Sequence, residues 1–395
     1  MQPINLLAPE VRANPYPVYA QMRRHQPVTQ VEPGGMWAIA RHHDVAFVFK
    51  NPQLFSSAGF QQALQPAWYG NILNPVAKSL VAVDPPVHTK LRARVRGAFN
   101  SNVVQRIEPH TRRTIDELID RLITRGETDF MSDFASLLPS AVIGYLLGLE
   151  PSLHQHFRSW ADAMVAIHPT PESPEHEARV HETLRHCVRS LSAAIAERRR
   201  APGDDLLSQL VRVEVDGEHL TDKEVLELTG AILAGGVDTT SGLLGSSMLF
   251  LSERPDVLEK LRADHGLIPA FSEEIMRYEP AAQALVRVTT AEVTLSGTTL
   301  PPGTLVLALI ASANRDEEYY PNPDEFILQR TQPTLSFGHG IHACIGAQLA
   351  RMEAKLALQA LLTRVKRFSR LPGDAGWTMS IATRGPTALP MRFEA

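Results

Sequence analysis

The chain has 395 residues, 44% of them hydrophobic, enough for one large core or for two to three ordinary domains. Its 39 basic and 43 acidic residues leave a formal charge of −4, so nothing global selects for nucleic acid or an anionic membrane, and a charged partner must be met by a local patch. The two cysteines, Cys187 and Cys344, stand far apart and not at metal-ligand spacing, which fits a reducing cytoplasm better than a disulfide framework.

In chain order, the N-terminal segment has neither the ~20-residue apolar run of a membrane helix nor a signal-peptide pattern, so no membrane anchor is expected. Strand signals come first, in PVTQVE and in MWAIAR after the PGG turn at 33–35. Pro85 and Pro86 then start a helix on which His88 and Arg92 share a face at i, i+4. Ile115, Leu118, Ile119, Leu122 and Ile123 recur at helical spacing, and SLLPSAVIGYLLGL reads as an almost wholly apolar buried helix. Cys187 lies beside Leu184, Val188, Leu191 and Ile195 at the same spacing and is read as core.

A capping box, Thr221 with Glu224, opens a long helix running to about Ser252 before Pro255. Inside it, AGGVDTTS at 234–241 carries two adjacent glycines, each costing roughly 0.5–1 kcal/mol against alanine. Thr239 lies four residues after Gly235, so its hydroxyl is expected to bond the Gly235 carbonyl and open the helix, with Asp238 bringing a carboxyl able to pass protons. The competing reading is a close helix crossing. In EEIMRYEP, Glu274 and Arg277 are three apart and able to pair, although such pairs are usually solvated. From Glu292 alternation around Ser-Gly predicts a β-hairpin, and strands return in WTMSIATRGPTALPMRFE.

The most informative run is LSFGHGIHACIG at 335–346. Gly338 and Gly340 let the backbone take positive dihedrals near a flat ligand, and Phe337 supplies an apolar lid. Cys344 stands at the start of the next helix, whose unpaired amides favour a thiolate, while Gly346 is expected to keep bulk off the sulfur. Without the register of Phe337, Gly340, His342, Cys344 and Gly346, an ordinary buried cysteine would be the simpler reading.

This loop resembles the cysteine-ligand signature of the cytochrome P-450 superfamily, and the likeness extends over nearly the whole chain. It implies a mainly α fold with a smaller β-rich part, the cytochrome P-450 fold, as one domain over 1–395. It implies haem b held through Cys344, with Gly235 in the oxygen-binding groove and Asp238 and Thr239 as the acid and alcohol pair. Further implied are Phe337, Gly338 and Gly346 around the cofactor, and His88, Arg92, Arg287 and His342 as propionate contacts. Glu274, Arg277 and Arg330 match its structural triad, although Ile327 stands where bacterial members often carry aspartate.

The resemblance places Phe60, Leu64, Trp68, Ile72, Leu73, Phe157, Trp160, Met164, Ile167 and the run Ala281 to Val286 above the haem. Their apolar character favours an apolar, bulky substrate of terpenoid, steroid, fatty-acid or polyketide type in a wide pocket. The expected activity is monooxygenation, with electrons from NAD(P)H through a ferredoxin reductase and ferredoxin. The ferredoxin would dock on Lys90, Arg94, Arg96, Arg112, Arg113 and Arg351. A cytoplasmic monomer is expected. The alternatives are a peroxide-driven peroxygenase, disfavoured by the Asp238 and Thr239 pair, and a haem-thiolate sensor without turnover.

Overall fold

The computed structural model describes residues 4–395 except 97, 98, 100, 166, 168–170, 172, 216 and 217; the side chain of Arg96, expected on the docking face, also lies outside the described residues. Helices dominate, as the helical spacing of apolar residues predicts. Thr221 accepts from the Glu224 backbone amide while the Glu224 carboxylate accepts from the Thr221 amide, so the capping box starts the helix Asp222–Glu253. That helix is buried over most of its length and packs against Leu137–Leu147, Phe157–Val165, Pro174–Arg200 and Ala347–Arg364. Leu137–Leu147 is buried on nearly every side, as its composition requires, and Gly148 ends it in the left-handed conformation.

The β part draws on distant stretches. A six-stranded sheet runs in the order Ile4–Asn5, Val28–Glu32, Met36–Ile39, Leu305–Leu309, Ala284–Thr289, Phe55–Ser56. Leu305–Leu309 pairs parallel with Met36–Ile39 and antiparallel with Ala284–Thr289, setting Arg287 opposite Val306. The expected hairpin is Val293–Leu295 with Thr298–Leu300, turned through Ser296 and Gly297 at positive φ. The C-terminal expectation was too generous. Only Pro390–Glu394 is a strand, between Arg367–Arg370 and Glu127–Asp129, while Trp377 and Thr383 make isolated bridges because Pro386 and the flanking glycines interrupt a ladder.

Candidate active site

Residues 335–346 form a loop between the sheet side and the helix Ala347–Arg364. Gly338 and Gly340 take φ of 69° and 72°, and a Cβ on Gly340 would collide with the Phe49 carbonyl. The Leu335 carbonyl accepts from the Gly338 amide at 2.8 Å, and the Phe337 carbonyl accepts from the Cys344 amide at 2.8 Å. Cys344 is thereby exposed to a cleft while protein surrounds it on its other sides. Burial raises its thiol pKa above the ordinary value; the Gly346 amide acts in the opposite direction, followed by Arg92, Arg351 and the Ala347 amide. The helix-start effect is therefore present but outweighed by burial. A methyl on Gly346 would sit 4.0 Å from the sulfur, so what this position supplies is its amide rather than an escape from bulk. Phe337 lines the cleft, with the Arg351 guanidinium 4.4 Å from its ring centre.

Four expected donors converge beside the loop. The His88 and His342 rings are 4.2 Å apart, Arg92 donates to the Ala343 carbonyl at 2.7 Å, and Arg287 is buried on its strand. Burial, with Arg287, His88 and Arg92 adding their charge, pushes His342 down to about 3; burial and the same arginines lower His88. Burial likewise lowers Arg287 to about 10, and its guanidinium donates to the carbonyl of its neighbour Val286 at 2.8 Å. His88 Nε2 is buried with no partner among the described residues. The nearby acid, Asp84, is taken up by Ser56 and the Ser57 amide, and Ser57 Oγ meets His342 Nε2 at 2.9 Å. Such a cluster is costly unless an anion completes it, and the two carboxylates of haem fit it.

Across the cleft, Thr239 Oγ1 donates to the Gly235 carbonyl at 2.9 Å, as the four-residue spacing predicts. The two glycines have different reasons. A Cβ on Gly235 meets nothing within 4 Å, whereas one on Gly236 would collide with Ile143, so the open-groove and helix-crossing readings each hold at one position. Asp238 is buried, with Oδ1 3.4 Å from an Arg158 nitrogen and Oδ2 without a partner among the described residues. Arg158 also donates to both oxygens of the half-exposed Asp162 at 3.0 and 3.1 Å. Sequence reasoning missed Arg158 and Asp162. Their i, i+4 spacing was visible, but nothing in the sequence tied it to Asp238.

Beneath the loop, Arg277 makes a bidentate contact to Glu274 at 2.8 and 2.7 Å, and Arg330 reaches Glu274 Oε1 at 3.2 Å. All three are buried, so the solvated reading fails. Ile327 takes part through its backbone amide, 2.9 Å from Glu274 Oε1, which makes its side-chain identity immaterial.

The cleft's cavity volume is about 290 Å³, at the lower end of the roughly 300–1,000 Å³ of ordinary small-molecule pockets, and the cleft opens to solvent at its mouth. Ala281, Ala282 and Leu285 line it, but Ala284 is buried elsewhere. Phe60, Leu64, Phe157, Trp160, Met164 and Ile167 are core side chains outside the lining, and Trp68, Ile72 and Leu73 pack on the same core. The walls come instead from Leu80, Val81, Ile143, Leu228, Ala231 and Ile232. A signal existed, since Leu228, Ala231, Ile232, Gly235 and Thr239 fall on one face of a single helix. The docking expectation also needs correction at Arg94, whose side chain is only 8% exposed and lies 3.8 Å from Glu224. Arg112 and Arg351 are exposed but paired with Glu108 and Glu273.

A mainly helical frame with one cysteine facing a cation-edged cleft and a hydroxyl-bearing helix opposite defines a haem-binding oxidoreductase class. The chain belongs to the cytochrome P450 family: the Cytochrome P450 family model matches residues 149–375. The chain is 37% identical to the cyclomarin C epoxidase CymV of Salinispora arenicola, over 94% of each chain. It is also 37% identical to the erythromycin C-12 hydroxylase of Saccharopolyspora erythraea, covering 89% of this chain and 87% of that one. Cytochrome P450 CYP109Q5 from Chondromyces apiculatus superposes with a TM-score of 0.89 at 37% identity, over 99% of this chain and 98% of that one. The protein is a cytochrome P450 monooxygenase, and haem iron and dioxygen belong to that chemistry. Among the described residues no helix is long and apolar enough to cross a membrane.

Proposed function

We propose that the chain is a cytoplasmic, single-domain, ferredoxin-dependent monooxygenase that hydroxylates or epoxidises a bulky, neutral, apolar molecule of macrolide or other polyketide type. The observation that carries this reading is the cleft itself, where Cys344, with Arg92 and His342 of the donor cluster, shares space with Gly235 and Thr239 and with walls that are mostly apolar. The names of the two enzymes above, one acting on cyclomarin C and one on erythromycin, favour large natural products over small charged ones.

In this reading Cys344 would ligate the iron of a bound haem, and His88, Arg92, Arg287 and His342 would hold its propionates. Haem bound there would supply the chemistry of dioxygen activation, in which two electrons and two protons let one oxygen atom enter the substrate and the other leave as water. Gly235 keeps side-chain volume out of the groove, and Thr239 presents its hydroxyl there. Asp238, oriented through Arg158, holds a carboxylate one residue away that brings protons inward. Leu228, Ala231, Ile232 and Leu285 orient the substrate by shape and exclude water, while Ala281 and Ala282 leave room for bulk. Electrons arrive from NAD(P)H through a reductase and a ferredoxin that meets the exposed Lys90, Arg112 and Arg113.

A spectral screen tests this. Macrolactone and other bulky apolar compounds should displace water from ferric haem and trigger NAD(P)H consumption with surrogate partners. Thr239→Ala should keep substrate binding while diverting electrons to peroxide. A chain whose haem responds to such compounds yet never consumes NAD(P)H would be a sensor, and efficient turnover with peroxide alone would favour the peroxygenase.

A further inference from the structure

The cysteine loop hangs from one buried side chain that the mechanism above does not use. Asn314 follows the short helix Ile310–Ala313 and is fully buried. Its backbone carbonyl accepts from Arg277 at 3.0 Å. Its side chain bonds the loop twice: Oδ1 accepts from the Leu335 amide at 2.9 Å, and Nδ2 donates to Ser336 Oγ at 2.8 Å. Ser336 Oγ in turn donates to the Met276 carbonyl at 2.5 Å, and Met276 precedes Arg277 on the helix Ile268–Tyr278. The bonds close a ring, Arg277 to Asn314 to Ser336 to Met276, which joins the Glu274 triad to the first two residues of the loop.

From there the loop's own ladder continues. Leu335 accepts from Gly338, and Phe337 accepts from Cys344, so the place of the sulfur is set two bonds downstream of Asn314. No other residue type of this size offers both an acceptor and a donor fixed in one plane. Leucine has the volume without the bonds, and aspartate has the shape without the paired donor.

We propose that Asn314 is a positioning residue for Cys344, carrying the rigidity of the Glu274–Arg277–Arg330 triad to the sulfur. The inference rests on the reading of Cys344 as the iron ligand. Its loss should loosen the loop rather than unfold the chain, so bound haem would exchange thiolate for thiol or water.

The test uses haem-loaded Asn314→Leu, Ser336→Ala and Cys344→Ala beside the parent. The readouts are the ratio of the red-shifted to the unshifted carbonyl band of reduced haem, its decay rate on mild warming, and the ferric/ferrous potential. Asn314→Leu should lower that ratio roughly tenfold, the weight of one to two buried hydrogen bonds, and shift the potential. Ser336→Ala keeps the Leu335 bond and should lower the ratio by a smaller factor in the same direction; it carries the test alone if Asn314→Leu yields no folded protein. Cys344→Ala should abolish the red-shifted band, and a variant that retained it would overturn the ligand reading. If Cys344→Ala loses the band while folded Asn314→Leu, or Ser336→Ala in its place, keeps the parental ratio, decay and potential, Asn314 is only a packing residue and the inference fails.

Discussion

Two buried clusters of charge lie on opposite sides of the cysteine loop, and they are built differently. In the Glu274 cluster both guanidinium groups share the Glu274 carboxylate and also meet backbone carbonyls, Arg277 those of Pro323 and Glu325 and Arg330 that of Pro321. In the His88, Arg92, Arg287 and His342 cluster four donors face one another around a single acid that other groups already hold. A closed cluster strengthens the fold. An open one weakens the bare chain and prepares it for an anionic ligand.

The largest expected effect breaks the closed cluster. Glu274→Ala leaves two buried guanidinium groups without their carboxylate, a loss of about 3–5 kcal/mol. Little haem-loaded protein should be recovered, and the denaturant midpoint of what remains should fall. A parental midpoint would show that the triad is not structural.

The open cluster should behave in the opposite way. Arg287→Leu removes a desolvated charge, so the haem-free chain should unfold at the same or higher denaturant concentration. Haem retention should suffer instead, by about 1.5–3 kcal/mol for a hydrogen bond to a charged group, or roughly ten- to a hundredfold faster transfer to apomyoglobin. Loss of haem-free stability with unchanged transfer would put Arg287 with the closed cluster.

A third buried charge sharpens the contrast. Glu353 lines the cleft, is fully buried, has an oxygen without a partner, and is pushed up to about 8 from 4.5 by burial. Between roughly these values the folded chain keeps a proton that the unfolded chain releases, so stability is greatest below the unfolded pKa and declines as pH rises through the window. The slope reaches about 1.4 kcal/mol per pH unit at most. Glu353→Gln should flatten the fall of the thermal midpoint between pH 5 and 8; equal slopes in parent and variant would show that Glu353 is ionised in the fold.

The smallest effects belong to the surface. Exposed pairs contribute about 0–1 kcal/mol, so Lys90→Ala with Arg113→Ala should leave stability unchanged and raise the ferredoxin concentration needed only at low salt. Arg94→Ala, which alters a side chain that is nearly buried, should instead change stability without altering that salt dependence.

Patterns with short reach were legible. The Thr221 capping box, the Gly235 and Thr239 spacing, the glycines of the cysteine loop and the Glu274 and Arg277 pair each involve residues within a few positions of one another, where backbone geometry fixes the contact. The convergence of His88, Arg92, Arg287 and His342 came from family resemblance, because no local rule joins residues 254 positions apart. The walls of the cleft were misplaced for the same reason. Trp160 and Leu228 are equally apolar in sequence, yet one is core and the other faces the cleft.

The sequence by itself determined the helical spine, the Thr239 to Gly235 bond within it and the cysteine at a helix start, since hydrogen bonding and sterics along the chain decide these. Only the tertiary structure decided which buried charges are closed and which are open, that Arg94 is turned inward, that Arg158 links Asp238 to Asp162, and that Asn314 ties the triad to the loop. Each depends on segments brought together by packing, where the cost of a buried polar group is set by the neighbours that the fold supplies.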